Sequence, residues 1–316
     1  MSILISGSMA YDHIMDFPDT FKNHILPDQI HVLNVSFAVE KMTREFGGCA
    51  GNLAYTMRLL GGTPIILAPV GKDGKEYLRH LKKNKISTKY IPSIPDVLTS
   101  SAYITTDRED NQIAAFYLGS GNAAVALSVH EVKERCTLTL ISPTKKDAMI
   151  RHAKEASERK IPIVFDPGQA LSALSAQELM LLIGQAEFLI ANDYEMKLIQ
   201  ERTGWKHEKM FDHVRVVITT LGEKGSLIRT NDELIEIKPC PPDSVDDPTG
   251  AGEAYRAGFF TAYVNGHDLK TCGQTGSVAA TYAVEHYGTQ NHKFTVKEFE
   301  QRYAETYGGE LKLKSK

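Results

Sequence analysis

The stretch Asp246-Asp-Pro-Thr-Gly-Ala-Gly-Glu-Ala254 sets small residues and a carboxylate in front of an apolar segment, Tyr255 to Tyr263, that reads as a helix. Gly250, Ala251 and Gly252 would expose successive amides at that helix N-terminus, where unpaired N–H donors and the positive end of the dipole favour an anion. Glu253 lies directly beside them. A carboxylate repels a resting phosphate, so its use there is to act on the proton of an attacking hydroxyl. Plain N-terminal capping accounts for the same residues without chemistry.

A second stretch, Phe46-Gly-Gly-Cys-Ala-Gly-Asn-Leu-Ala54, precedes the helical run Tyr55 to Leu60. Its glycines allow close backbone approach to a ligand, and Asn52 both donates and accepts hydrogen bonds, which suits a hydroxyl-rich ligand. Tight helix packing is the competing use of the same glycines. Thr219-Thr-Leu-Gly-Glu-Lys-Gly225 is neither a Walker A loop nor a dinucleotide fingerprint; it serves equally as a turn between strands or as a nucleotide contact. Asn192-Asp-Tyr-Glu195 places two carboxylates and an amide where a strand ends, either at a ligand site or as a helix cap. Gly119-Ser-Gly-Asn-Ala-Ala124 has a loose dinucleotide spacing, but no acidic residue ends the next strand, because Thr137 to Ile141 runs into Ser142-Pro143.

These residues need a scaffold, and the pattern from residue 137 supplies one. Strands are expected at Thr137–Ile141, Ile163–Asp166, Phe188–Ala191 and Val214–Thr219, with helices at Lys146–Arg159, Ser175–Ala186 and Tyr194–Thr203 between them. Short β-branched runs alternating with amphipathic helices mark βαβ units on a parallel sheet, so the class is α/β. Ser100–Thr106 and Gln112–Tyr117 flank a polar turn and read as a hairpin. With the irregular N-terminal segment it would form a small discontinuous β lid, from residues of about 12–45 and 96–118, on a single domain spanning 1–316. The chain from Gly250 onward reads as mostly helical, with Glu298–Thr306 a last turn or two and Leu311–Lys316 a frayed tail.

Composition limits the partners. A net charge of -3 over 316 residues gives no basic field for nucleic acid, and Lys82-Lys83 and Lys145-Lys146 read as solvated helix faces. Cys49, Cys136, Cys240 and Cys272 form no Cys-x-x-Cys pair, the histidines no His-Glu-x-x-His, and no apolar run approaches a membrane span. A cytoplasmic protein without nucleic-acid or membrane partners is expected.

The glycine-asparagine run near residue 50 and the Asp-Pro-Thr-Gly-Ala-Gly run near 250, in that order, resemble the two signatures of the PfkB/ribokinase family across nearly the whole chain. Gly7-Ser-Met-Ala-Tyr-Asp-His13, Asn192-Asp-Tyr-Glu195, Gly204-Trp205, Tyr255-Arg-Ala-Gly258 and Gly288-Thr-Gln290 look most like the bacterial adenosine kinases in it. The resemblance implies a three-layer α/β/α fold with a mainly parallel sheet and a β lid, and transfer of the ATP γ-phosphoryl group to a primary hydroxyl with Mg²⁺. Carried over, Asp12, Gly48 and Asn52 would hold the ribose hydroxyls, Ser8 and Ser36 would line the same pocket, Phe116 would stack on a purine, and Gln169 would fall on the substrate side. Asn192 and Glu195 match the motif tied to phosphate and magnesium, the latter through water; Thr220, Gly222 and Gly225 match the nucleotide loop, and Gly250 to Gly252 the anion hole. The family has Asp as catalytic base where this chain has Glu253. The expected activity is adenosine 5′-phosphorylation, with a sugar kinase acting on ribose or fructose and a non-catalytic nucleoside-binding protein as the alternatives. Pairing through the lids into a homodimer is expected, because a small sheet leaves edges to cover.

Overall fold

The computed structural model describes residues 2–26, 32, 34–109 and 111–314. The chain runs through β1 (Ser2–Ser6), β2 (Ala10–Asp16), β3 (Lys41–Gly47), α1 (Cys49–Leu59), β4 (Thr63–Leu67), α2 (Lys75–Lys83), β5 (Ser100–Thr106) and β6 (Gln112–Tyr117). It continues with β7 (Cys136–Ile141), α3 (Lys146–Glu158), β8 (Ile163–Phe165), α4 (Ala176–Gln185), β9 (Phe188–Asn192), α5 (Asp193–Thr203) and α6 (His207–Met210). Last come β10 (Val216–Thr220), β11 (Ser226–Arg229), β12 (Leu234–Ile237), α7 (Ala251–Val264), α8 (Leu269–Val284) and α9 (Val296–Tyr307).

The main sheet has the order β12-β11-β10-β9-β8-β7-β1-β4, parallel from β4 to β10 and antiparallel only at β11 and β12. Successive strand residues point to opposite faces, so each strand feeds two cores. Ile3, Ile5, Leu138, Leu140, Val216 and Ile218 pack with residues of α1, α2, α7 and α8. Leu4, Ile141, Ile163, Phe165, Leu189 and Val217 pack with α3, α4 and α5 on the other side. The result is the expected three-layer α/β/α arrangement with a mainly parallel central sheet.

A second sheet has the order β3-β2-β5-β6, with β2 antiparallel to β3 and parallel to β5, and β5 antiparallel to β6. Strands far apart in sequence thus build the small discontinuous sheet, and the hairpin Ser100–Thr106 with Gln112–Tyr117 has the expected bounds.

The structure corrects three local readings. Helix α1 begins at Cys49 rather than Tyr55, and α7 at Ala251, so Gly51 and Gly252 lie inside helices. Helix α9 covers 12 residues and carries a capping box at Thr295 and Glu298, more than the expected turn or two. The tail is pinned through residue 314: Leu311 and Leu313 are buried against Phe299 and Phe294, and the Leu313 amide donates to Glu300 Oε1 at 2.9 Å. Two leucines spaced to share one face provide enough apolar area to anchor it. Ser315 and Lys316, also read as tail, lie outside the described residues.

Candidate active site

The carboxyl ends of parallel strands leave a crevice where connecting loops diverge, and ligands of open α/β sheets gather there. Here the loops after β1, β7 and β8 supply Ser8, Pro143, Lys145 and Gln169 to a cavity of about 700 Å³. Helix α1 adds Cys49 and Asn52, the α7 N-terminus adds Thr249, Gly250 and Glu253, and the small sheet closes the remaining side.

The wall made by the small sheet follows from register. Asp12 pairs with Glu45 on one side and Ala102 on the other, and Ala102 pairs with Phe116. Directly opposed residues share a face, so Asp12, Ala102 and Phe116 point together into the cavity. Phe116 is half exposed and stacks on no other ring among the described residues. Asp12 is 9% exposed, and its carboxylate finds no hydrogen-bond partner among the described residues. Burial, followed by the charges of Glu253, Asp247 and Glu45, raises its pKa to about 7. A carboxylate placed this way is free to accept from the hydroxyl of a ligand or from water. Gly47 makes room for it, since a Cβ there would lie 2.0 Å from Asp12 Oδ2.

At the opposite end, Gly250 enters α7 with φ 85°, which an L side chain resists, and a Cβ would also press on Thr289 at 3.0 Å. The Asp247 carboxylate fixes this turn, accepting from Thr249 N at 2.9 Å and from Gly288 N at 3.0 Å. The Gly250 and Gly252 amides find no acceptor among the described residues, whereas Ala251 N reaches Pro248 O at 3.3 Å. Two of the three anticipated anion-hole amides are therefore open. Glu253 lies in the first turn of α7, and its charge bears on Asp12, Asp166 and the buried Cys49 thiol, whose pKa is pushed well up mainly by burial.

Behind this turn is a buried ion pair. Arg256 Nη2 donates to Asp166 Oδ1 at 2.8 Å and Nη1 to Gly252 O at 3.0 Å, with side-chain exposures of 8% and 4% for Arg256 and Asp166. The pair ties the end of β8 to Gly252 in the first turn of α7. Burial outweighs Arg256 and holds the Asp166 carboxyl up at about 6.

The residues expected on the nucleotide side form a separate group. Asn192 and Thr220 are register partners at the ends of β9 and β10, and Gly222 and Gly225 follow in the turn to β11 with φ of 58° and 87°. Asn192 and Glu195 form a capping box on α5: Asn192 Oδ1 accepts from Glu195 N at 2.7 Å, and Glu195 Oε2 from Asn192 N at 2.9 Å. The capping use weighed from sequence is thus realised, leaving Glu195 Oε1 without a partner among the described residues. None of these residues lines the cavity.

Of the expected substrate-side residues, Ser8, Asp12, Gly48, Asn52, Phe116 and Gln169 line the cavity together, and Ser36 does not. Ser36 stands exposed on the connection from β2 to β3, where no strand pairing holds it over the cavity. Lys145 and Lys146, expected on a solvated face, line the rim, where Lys146 pairs with Glu178 at 3.0 Å. Sequence reasoning gave no site role to Thr289 or Lys145; the Gly288-Thr-Gln290 match was the available signal for Thr289.

Residues 8–295 match the model of the pfkB family carbohydrate kinases. The nucleoside kinase of Methanothermobacter thermautotrophicus is 32% identical over 315 residues, 98% of this chain and 97% of that protein. The nucleoside kinase of Methanocaldococcus jannaschii is 33% identical over 82% of this chain and 85% of its own length. Among solved structures, the Burkholderia thailandensis nucleoside kinase in complex with inosine superposes with a TM-score of 0.91 at 35% identity, covering 98% of this chain and 99% of that one. With its small sheet facing a helix N-terminus across the cavity, this chain belongs to the pfkB family of carbohydrate kinases.

Proposed function

We propose that the protein transfers the γ-phosphoryl group of ATP to the 5′-hydroxyl of a nucleoside, with adenosine as substrate. The observation that carries this reading is the shared rung of Asp12 and Phe116: an unpartnered carboxylate for sugar hydroxyls and an unstacked ring for a base, facing one cavity. Flat aromatic faces suit bases, and sugar hydroxyls donate to carboxylates. The nucleoside kinases among the relatives support the substrate class.

With the base against Phe116 and the ribose at Asp12, Asn52 and Gly48, the 5′-hydroxyl points toward the α7 N-terminus. Glu253 accepts the hydroxyl proton as the oxygen attacks Pγ, the bond from Pγ to the β-phosphate oxygen breaks, and ADP leaves. The Gly250 and Gly252 amides receive charge that develops on the phosphoryl oxygens. The nucleotide itself would follow Asn192, Thr220, Gly222 and Gly225. No group of three or more His, Cys, Asp or Glu residues among the described residues could hold a metal. Glu195 uses Oε2 in its capping box and keeps Oε1 available, a single carboxylate oxygen of the kind Mg²⁺ takes alongside phosphates and water. Glu195 would hold it through water, and when bound it would neutralise charge on the transferring phosphates.

Inosine is the second reading, favoured by the inosine complex of the Burkholderia relative and by the donors Gln169 and Lys145 on the cavity wall. A coupled assay of ADP release across adenosine, inosine, ribose and fructose tests the proposal. Turnover of a sugar faster than of either nucleoside overturns it, and binding without turnover of any of them favours a nucleoside-binding protein.

The outer face of the small sheet carries Met42, Tyr103, Ile113 and Tyr117, each at least 40% exposed. Their register positions alternate with those of Asp12 and Phe116, so they lie together on the side away from the cavity. We propose that a second copy of the chain covers this face.

A further inference from the structure

The Gly288-Thr289-Gln290 turn takes no part in the transfer described above, yet it grips the side chain of Asn52. Tyr77 Oη donates to the backbone carbonyl of Gly47 at 2.6 Å. A carbonyl only accepts, so it sets the direction of everything behind it. Tyr77 Oη must then accept, and Gln290 Nε2 donates to it at 2.6 Å and to Asn52 Oδ1 at 2.9 Å. Gln290 Oε1 faces His80 Nε2 at 3.1 Å. Thr289 Oγ1 shares its proton between the Phe46 carbonyl and Asn52 Oδ1, both at 2.8 Å. Tyr77, Gln290 and Asn52 are all nearly inaccessible, at 0%, 3% and 4% exposure.

Asn52 Oδ1 is thus engaged from two sides, while Nδ2 has no partner among the described residues and Asn52 lines the cavity beside Asp12. Gly51 is an independent sign that the sequence is built around this relay. A Cβ at that position would lie 1.8 Å from Tyr77 Oη and 2.9 Å from Gln290 Nε2.

We propose that Gln290, with Tyr77 and Thr289, is a positioning device that fixes the Asn52 amide with its NH₂ toward the ligand. Resting on the nucleoside reading, it makes Asn52 a pure donor next to Asp12, whose ionised carboxylate is a pure acceptor. Neighbouring ribose hydroxyls satisfy both at once, one accepting from Asn52 while donating toward Asp12. A deoxyribose lacking one of them leaves a buried polar group unpaired.

Calorimetric titration of the full-length chain with its better-bound nucleoside, adenosine or inosine, and with the 2′-deoxy and 3′-deoxy counterparts tests this. Wild type should bind at least one deoxy analogue roughly tenfold more weakly than the parent. Gln290→Leu frees Asn52 to turn, so the parent should weaken roughly tenfold while the parent-to-deoxy ratio falls to within about threefold. Tyr77→Phe keeps the ring among Tyr11, Phe46 and His80, and should lower the ratio in the same direction if Gln290→Leu fails to fold. Equal weakening of parent and deoxy ligands in the variants, or no discrimination in the wild type, overturns the proposal. Failure of phosphoryl transfer with this binding contrast intact would instead sink only the functional reading.

Discussion

Asp12 and Phe116 occupy one rung of the small sheet, joined through Ala102, although they are separated by 104 positions in the chain. The carboxylate and the ring therefore stand on one face of the sheet two strand spacings apart, at about 4.8 Å per strand, and on the proposed reading this spacing sets the separation of sugar and base.

Removing the ring should act on the base alone. Stacking contributes about 1–3 kcal/mol per base, so Phe116→Ala should weaken adenosine binding by roughly 5- to 150-fold and leave ribose binding nearly unchanged. Calorimetry with both ligands reads this directly, and equal losses for the two would refute stacking.

The raised Asp12 pKa gives a pH dependence with a definite sign. The folded protein keeps a proton on Asp12 up to about 7, whereas an unfolded aspartate releases it near ~3.9. Between those values the unfolded chain binds fewer protons, so this group's contribution to stability falls as pH rises and levels off above 7. Asp12→Asn should therefore gain in Tm over wild type from pH 5 to pH 8, by a few degrees on the order of 1 kcal/mol, while losing nucleoside affinity. A Tm difference that stays constant with pH would rule the raised pKa out. Affinity of the wild type should drop below pH 7, where Asp12 takes up a proton and loses the negative charge that strengthens its hydrogen bonds to sugar hydroxyls.

Glu253 carries one methylene more than the aspartate of the family pattern. A misplacement of about 1 Å costs on the order of a hundredfold in rate, and on the proposed reading the added length would bring the carboxylate into the space meant for the hydroxyl or γ-phosphate. Glu253→Asp should raise kcat with little change in KM, and Glu253→Gln should nearly abolish turnover. Unchanged or lower kcat in Glu253→Asp would mean that the cavity is fitted to glutamate.

Covering the outer face of the small sheet should make the protein a dimer in solution. Light scattering is expected to give twice the chain mass, and replacing Tyr103 and Ile113 with lysine should return it to the monomer. A monomer at every concentration of the wild type would count decisively against the paired face.

What the sequence carried by itself was local. The amides of Gly250 and Gly252 and the carboxylate of Glu253 fall within one helical turn, so their apposition follows from chain geometry once the helix is read. The alternation of β-branched runs and helices likewise fixed the parallel sheet, because a strand buried on both faces leaves an unbroken apolar run. Only the tertiary structure decided which distant residues share a surface. Asp12 meets Phe116 through a parallel pairing of β2 with β5, whose register is set by which residues each sheet face must bury. Asn52 meets Gln290 across 238 positions, and the direction of its amide depends on a carbonyl at Gly47 that no pattern in the chain connects to it. The same limit explains Ser36, which the family resemblance placed in the pocket but which no strand pairing holds there. Long-range apposition is a property of packing, and packing depends on all the side chains at once rather than on any local spacing.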